Sequence, residues 1–291
     1  VDVASANTKS DDVQTIDGAD VSVFIPRVPD SSRRPSEWIN MYLAKCMAWT
    51  GNDKLDYISI THYDGDHIGM RTEAPRVDGL GGSSAPSGLA SGGSQKIGMA
   101  EILDDNNVGV LVDRAYPDYD YPVTENLTGS NNMKNYHNAI AYHVANRGVV
   151  HEAFNSGVNN QFVMKYDTSS YPDFEIRNVA CNGYMWTGSG TSVSKTFPDN
   201  SSYIKDVESS MPNENMNSTA FRLSYGKFDY FAGGDLECDE TFLFPWRNTE
   251  KPVADAVGKV EVMKANHHGS VGDNSQYFLD KLAPQAIVVN T

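Results

Sequence analysis

Cysteine is scarce in this sequence, and long apolar runs are absent. The three cysteines, Cys46, Cys181 and Cys238, are widely spaced and form no Cys-x-x-Cys pair. An odd number of such thiols indicates neither a disulfide framework nor a thiolate metal site. Although 40% of the residues are hydrophobic, no apolar run reaches the roughly 18 residues that a membrane-spanning helix needs. The composition therefore predicts a globular chain without a membrane segment.

Positive charge is also in short supply. The chain has 23 Lys and Arg against 38 Asp and Glu, a formal net charge of -15, and Arg33-Arg34 is its one adjacent basic pair. A surface of this sign repels polyanions, which argues against a general DNA or RNA binder. A nucleic-acid or nucleotide substrate stays open as one alternative. The sequence indicates neither the oligomeric state nor the compartment.

One polar stretch directly after a short apolar run, residues 57–60, stands out chemically. It carries four metal-binding side chains within six residues: His62, Asp64, Asp66 and His67. Imidazole nitrogen and carboxylate oxygen are the donors that Zn²⁺, Mn²⁺ and Fe²⁺ accept, and Gly65 allows a tight turn between them. The alternative interpretation is a solvated polar turn. The density of donors after a predicted strand favours a metal-binding loop.

Residues 61–69, Thr-His-Tyr-Asp-Gly-Asp-His-Ile-Gly, resemble the signature of the metallo-β-lactamase superfamily in its His-x-Asp-x-Asp-His form. This form is similar to the lactamase-like domain of bacterial DNA-uptake channel proteins and their free-standing relatives. Residues 228–235 resemble the family's strand ending in Gly-Asp, and residues 260–270 resemble its strand followed by His-His-Gly-Ser. Three motifs in this order are more specific than any one alone.

The resemblance implies a fold and a domain organisation. We expect a mixed α/β fold, an αββα sandwich with two β-lobes, formed by one domain over residues 1–291 and truncated at both ends. Insertions are expected near residues 5–35 and 71–150. Residues 1–4 resemble the tail of the family's early strand, in which Asp2 would accept a hydrogen bond from a ligating histidine; a frayed terminus is the alternative.

The resemblance also implies a dinuclear metal site, with Zn²⁺ favoured and Mn²⁺ or Fe²⁺ as alternatives. The expected ligands are His62, Asp64, Asp66, His67, Asp235 and His267. Asp64 stands where many relatives have histidine, and the stretch 215–223 lacks the third ligating histidine of the wider superfamily. Asp66 and His268 are the expected catalytic residues, with His268 protonating a leaving group or supporting a ligand. Whether His267 or His268 is the ligand stays open.

The function implied is a metal-dependent hydrolase that uses a metal-bound hydroxide. A phosphodiesterase or nuclease-like activity is favoured, and hydrolysis of a small ester, lactone or amide is the alternative. A third hypothesis is a non-catalytic metal-bound module whose tyrosine-rich loop, residues 116–122, binds a sugar or a partner.

Periodicity predicts the main elements around these motifs. Helices are expected over 35–50, 133–147 and 274–282, and strands over 108–112, 161–166 and 174–181. The stripe of Trp38, Tyr42, Cys46 and Trp49 in the first helix is expected to face the core. The Gly/Ser-rich segment 78–98 is expected to be flexible. A structural role is expected for His137, His143 and His151.

Overall fold

The computed structural model describes residues 12–16, 19–23, 33–69, 88–122, 129–199, 202, 210–239 and 243–290. Asp2 and the first part of the Gly/Ser-rich segment, residues 78–87, therefore lie outside the described residues. The strands are β1 Asp12–Ile16, β2 Ala19–Val23, β3 Lys54–Ser59, β4 Asn107–Asp113, β5 Val150–Ala153, β6 Phe174–Cys181, β7 Tyr184–Trp186, β8 Val193–Lys195, β9 Ala220–Tyr225, β10 Phe228–Ala232, β11 Val262–Lys264 and β12 Ala286–Val288. The helices are α1 Pro35–Thr50, α2 Gly65–Ile68, α3 Met99–Asp105, α4 Asn131–Arg147, α5 Glu250–Val257 and α6 Gln276–Leu282.

Two larger sheets and a hairpin, β1-β2, make up the strand content. The order β3-β4-β5 forms a parallel three-stranded sheet, and β12-β11-β10-β9-β6-β7-β8 forms a seven-stranded sheet. In the larger sheet, β10-β11 and β11-β12 are parallel, whereas the other pairs are antiparallel. The mixed α/β class is confirmed. In the ranges given above, no helix has both the length and the apolar character needed to cross a membrane.

Each of these two sheets carries its own core. Beside the three-stranded sheet, residues of α3 and α4 join Leu111 of β4 in one buried cluster, which includes Leu103, Met133, Tyr136 and Ile140. Against the seven-stranded sheet, α5 and α6 bury a second cluster that includes Phe231, Val253, Met263, Phe278 and Leu282. Burying each such side chain contributes roughly 1.5–3 kcal/mol. The helices are therefore held to the sheets mainly by apolar contact.

Parallel strands place the motif loops at sheet edges. The four-donor loop, residues 61–69, follows the carboxyl end of β3, and β4 and β5 end beside it in the same sheet. In the other sheet, Asp235 follows β10 and the His-His sequence follows β11, which is parallel to β10. Because carboxyl ends of parallel strands meet at one edge, sequence segments far apart converge there.

Helix α1 has the predicted bounds, but the prediction that its aromatic stripe is core is wrong. Trp49 is 89% exposed and Tyr42 is 64% exposed. The inward face is instead formed by Ile39 and Leu43, which pack against the first core cluster. These smaller residues share one helical face at four-residue spacing. Side-chain size therefore did not identify the buried face.

One further sequence prediction is wrong. Residues 161–166 form no strand; Gln161 instead accepts hydrogen bonds from the Asn155 N–H at 3.1 Å and from Asn178 Nδ2 at 2.7 Å. Of the Gly/Ser-rich segment, the described residues 94–98 are packed against the fold, whereas Leu89 is exposed. Ile97 is buried there, and the Gln95 N–H donates to Asn135 Oδ1 at 2.7 Å. Side-chain hydrogen bonds of this kind leave no periodic signal in a sequence.

Candidate metal centre

The four-donor stretch is shaped by the turn into α2. The N–H groups of His67 and Ile68 donate to the Asp64 carbonyl at 2.9 and 3.0 Å, which winds the stretch into one helical turn. His67 and Ile68 are buried by this turn, whereas Asp66 stays half-buried. The local fold therefore separates the adjacent side chains of Asp66 and His67 while keeping both at the edge of the sheet.

Four of the candidate side chains converge on one small volume. One ligand atom each from Asp66, His67, Asp235 and His268 lies within 4.8 Å of all the others. His268 Nε2 lies 3.1 Å from both Asp66 Oδ2 and Asp235 Oδ2, and His67 Nε2 lies 3.1 Å from Asp235 Oδ2. The two Nε2 atoms are 3.3 Å apart. Two imidazoles and two carboxylates thus face one another as a divalent cation would require.

His62 and Asp64 form a second group beside this cluster. His62 Nε2 lies 3.4 Å from Asp64 Oδ2 and 3.9 Å from Asp235 Oδ2. Among the described residues, His62 Nε2 and Asp235 Oδ1 are buried without a hydrogen-bond partner. Burying such atoms unpaired is costly, and a cation would satisfy both. The donor chemistry therefore fits a metal, and Asp235 lies where it contacts both groups.

The imidazoles are oriented from behind by hydrogen bonds to their Nδ1 atoms. Thr61 Oγ1 lies 3.1 Å from Nδ1 of both His62 and His67. Ser218 Oγ lies 3.3 Å from His62 Nδ1, and the Asn290 carbonyl accepts a hydrogen bond from His268 Nδ1 at 3.0 Å. Such contacts fix the tautomer of a ligating histidine and direct the other nitrogen at the metal. These roles were not predicted from the sequence, although Thr61 directly precedes His62.

His267, one of the six expected ligands, lies outside the four-residue cluster. Its Nδ1 is 2.7 Å from Asp273 Oδ2, and its Nε2 is 3.3 Å from Asn215 Nδ2. The hydrogen bond to Asp273 raises the pKa of His267. Two consecutive positive φ angles, 44° at His267 and 55° at His268, turn the chain so that the second histidine faces the cluster. Of the expected ligands, the structure brings together Asp66, His67 and Asp235, places His62 and Asp64 beside them, and adds His268.

Charge balance within the cluster favours ionised carboxylates. Burial raises the pKa of Asp66 and Asp235, but hydrogen bonds to His268 and His67 outweigh it and hold both pKa values well below the usual range. Lys264 adds a positive charge, with Nζ 3.7 Å from Asp235 Oδ1. Ionised carboxylates are the form that binds cations.

A buried carboxylate, Glu250, holds the histidine loop, residues 266–270. It accepts hydrogen bonds from Asn266 Nδ2 at 2.9 Å, the Asn274 N–H at 2.7 Å and the Ser275 N–H at 2.8 Å. Asn274 Oδ1 in turn accepts from the Asn266 N–H at 2.8 Å. No sequence pattern singles out Glu250, because its partners are between 16 and 25 positions away. This network fixes the loop that presents His268.

Comparison with family models gives no match, and comparison with curated proteins gives none either. A solved structure described as a mutant of CmlA beta-hydroxylase aligns with 81% of this chain at 9% sequence identity and a TM-score of 0.35. The alignment covers 36% of that protein's chain. A similarity this low carries no argument about activity, so the functional assignment depends on the site itself.

Proposed function

We propose that this chain is a metal-dependent hydrolase that holds two divalent cations in the metallo-β-lactamase manner. The observation that carries the proposal is the convergence of Asp66, His67, Asp235 and His268 within 4.8 Å, with the unpaired His62 Nε2 beside them. Zn²⁺ is the favoured metal, and Mn²⁺ or Fe²⁺ are the alternatives because the site is rich in carboxylate oxygen.

The four clustered side chains would hold one cation, and His62 and Asp64 would hold the other together with Asp235. We propose His268 as a ligand in place of His267, so His268 would not serve as a leaving-group acid. The second cation has fewer protein ligands, because residues 215–223 supply no histidine. A site with fewer protein ligands leaves coordination positions for water and substrate, as catalytic sites require.

Bound cations would lower the pKa of a water molecule to about 7 and would neutralise the charge that develops on the substrate. The side chains set the balance of charge. Asp64, Asp66 and Asp235 contribute three negative charges, and Lys264 adds one positive charge to the four of two divalent cations. The resulting excess of two positive charges would be balanced by a hydroxide and a monoanionic phosphodiester. We therefore propose a phosphodiester of small size, since the net charge of -15 repels long polyanions.

A second candidate function is hydrolysis of a small ester, lactone or amide. The observation that favours it is the same net charge of -15, because an uncharged substrate is not repelled by an acidic surface. Both candidates need the same activated water, so the site alone does not separate them.

The test combines metal analysis with parallel assays. The purified protein is expected to contain divalent metal and to hydrolyse bis(p-nitrophenyl) phosphate faster than members of a lactone and ester panel; the reverse order supports the second candidate. Asp66→Asn keeps the side-chain volume but removes the charge, and it is expected to lower kcat by on the order of 100-fold. Asp280→Asn, on the exposed side of α6, is the matched control. Full activity of Asp66→Asn at normal metal content would contradict hydrolysis, and metal without any turnover would support a binding module.

A further inference from the structure

A cleft lies at the carboxyl ends of β4 and β5, the sheet edge at which the four-donor loop also lies. Its volume is about 480 Å³, within the range of small-molecule sites, roughly 300–1,000 Å³. One wall comes from the tyrosine-rich loop, including Tyr116, Asp118 and Tyr121, and the other from the β6–β7 turn, including Asn182 and Tyr184. The cleft therefore lies between the two sheets.

Both walls are hydrogen-bonded to residues that adjoin the metal-binding loop. The Ala115 N–H donates to the hydroxyl of Tyr63, which directly follows His62, at 3.2 Å. On the other wall, the Asn182 N–H donates to the Asn217 carbonyl at 3.3 Å, and the next residue, Ser218, contacts His62. The cleft therefore lies at the same edge of the three-stranded sheet as the four-donor loop and is joined to it by hydrogen bonds.

Tyr116 forms an aromatic surface that is fixed before any ligand binds. Its ring stacks on His151 with the ring centroids 4.0 Å apart. His151 is held in turn by the buried carboxylate of Asp113, with Nε2 to Oδ2 at 2.7 Å. Across the cleft, the hydroxyl of Tyr121 donates to that of Tyr184 at 3.4 Å. An oriented ring favours stacking because little side-chain entropy is lost on binding.

The cleft offers no unpaired positive charge to an anion. Arg114 is the one Lys or Arg among its lining residues, and its Nε and Nη2 donate to the two carboxylate oxygens of Glu214 at 2.6 and 2.7 Å. Its Nη1 donates to Asn182 Oδ1 at 3.2 Å. The exposed Asp118 adds a negative charge. Among the described residues, the buried hydroxyl of Ser156 at the cleft has no hydrogen-bond partner.

We propose that this cleft binds an uncharged sugar ring, so that the substrate of the proposed hydrolase carries a neutral saccharide next to the bond that is cleaved. The part of this inference that makes the saccharide a piece of the substrate rests on the proposed function. The C–H face of a pyranose would pack on Tyr116, and its hydroxyls would donate to Asp118. Phosphate groups are disfavoured because Arg114 is already neutralised.

Binding is tested on the metal-loaded chain by NMR titration. The probes are methyl glycosides of glucose, galactose and N-acetylglucosamine, with uridine, adenosine and inorganic phosphate as comparisons. A ligand of this size is expected to bind with a Kd on the order of 1 mM. Tyr116→Ala and Asp118→Asn are each expected to weaken glycoside binding about tenfold. The control Tyr166→Ala removes an exposed tyrosine that does not line the cleft.

The outcomes separate this inference from the proposed function. If a glycoside binds and the two cleft variants weaken it, the inference about the cleft holds whether or not bis(p-nitrophenyl) phosphate is hydrolysed. If no glycoside binds, if only nucleosides or phosphate bind, or if both variants bind as tightly as Tyr166→Ala, the inference is overturned. If the protein hydrolyses bis(p-nitrophenyl) phosphate but binds no glycoside, the metal-dependent activity is supported and only the inference about the saccharide is overturned.

Discussion

Exchanging the two adjacent histidines for alanine, one at a time, gives the sharpest test of the site. His268 Nε2 lies 3.1 Å from two carboxylate oxygens of the cluster, whereas both ring nitrogens of His267 face other partners, Asp273 and Asn215. His268→Ala removes one of four donor atoms around one cation. Loss of a group that only supports a ligand typically costs 10–100-fold in metal affinity, so loss of a ligand is expected to cost more than about 100-fold. His267→Ala is expected to cost about tenfold or less.

The assay is competition with a chromophoric chelator, combined with metal content after dialysis. The two variants control for each other, since they make the same substitution at neighbouring positions, and both side chains are about equally exposed, 30% for His267 and 26% for His268. Melting temperatures of the metal-free proteins show whether either change disturbs the fold. If His267→Ala loses the metal while His268→Ala retains it, the assignment of ligands from the geometry is refuted.

Four further predictions concern the stability of the fold and the support of the site. Glu250→Gln is expected to weaken metal affinity 10–100-fold, because the loop that presents His268 loses charge-assisted hydrogen bonds. Unchanged affinity in chelator competition would show that the conformation of this loop does not depend on the charge of Glu250. Arg114→Met removes the ion-pair partner of the buried Glu214, so urea denaturation is expected to show a loss of about 3–5 kcal/mol. Arg114→Met with Glu214→Leu is expected to restore part of this loss, because the Tyr63 N–H then loses its acceptor. Since the pKa values of Asp66 and Asp235 are held low, their stabilising contribution is present above the ordinary pKa near 3.9 and is lost as the pH falls below it. Metal affinity is expected to fall at higher pH than stability does, between pH 7 and 5, because protons compete with the metal for the imidazoles. A pH-independent affinity would contradict histidine ligation.

The sequence predicted the location of the site better than its details. The four-donor loop after β3 was predicted from the local density of donors, and the aspartate after β10 was predicted from the family resemblance. Which of His267 and His268 faces the cluster depends on two left-handed backbone angles, which no pattern of residue types encodes. The contributions of Ser218 and Glu250 depend on contacts with residues distant in sequence.

The same distinction holds for the fold. Helix and strand bounds at α1 and β6 were predicted from periodicity, because regular backbone hydrogen bonding repeats along the chain. The buried face of α1 was not, since Trp49 and Tyr42 have the size of core residues but the neighbouring elements pack on Ile39 and Leu43. Packing partners are a property of the assembled chain, whereas periodicity is a property of the segment.

The cluster joins the two sheets through residues very far apart in sequence. Asp66 and His268, whose contacting atoms are 3.1 Å apart, are separated by 202 positions. A cross-link that closes a loop of this length restricts the unfolded chain by about 5 kcal/mol in the chain-entropy model. A bound cation would therefore act as a reversible cross-link between the sheets. Chelation would remove this restriction on the unfolded chain and, with it, the proposed activity. The supply of metal in the surroundings would then set the stability of the folded chain.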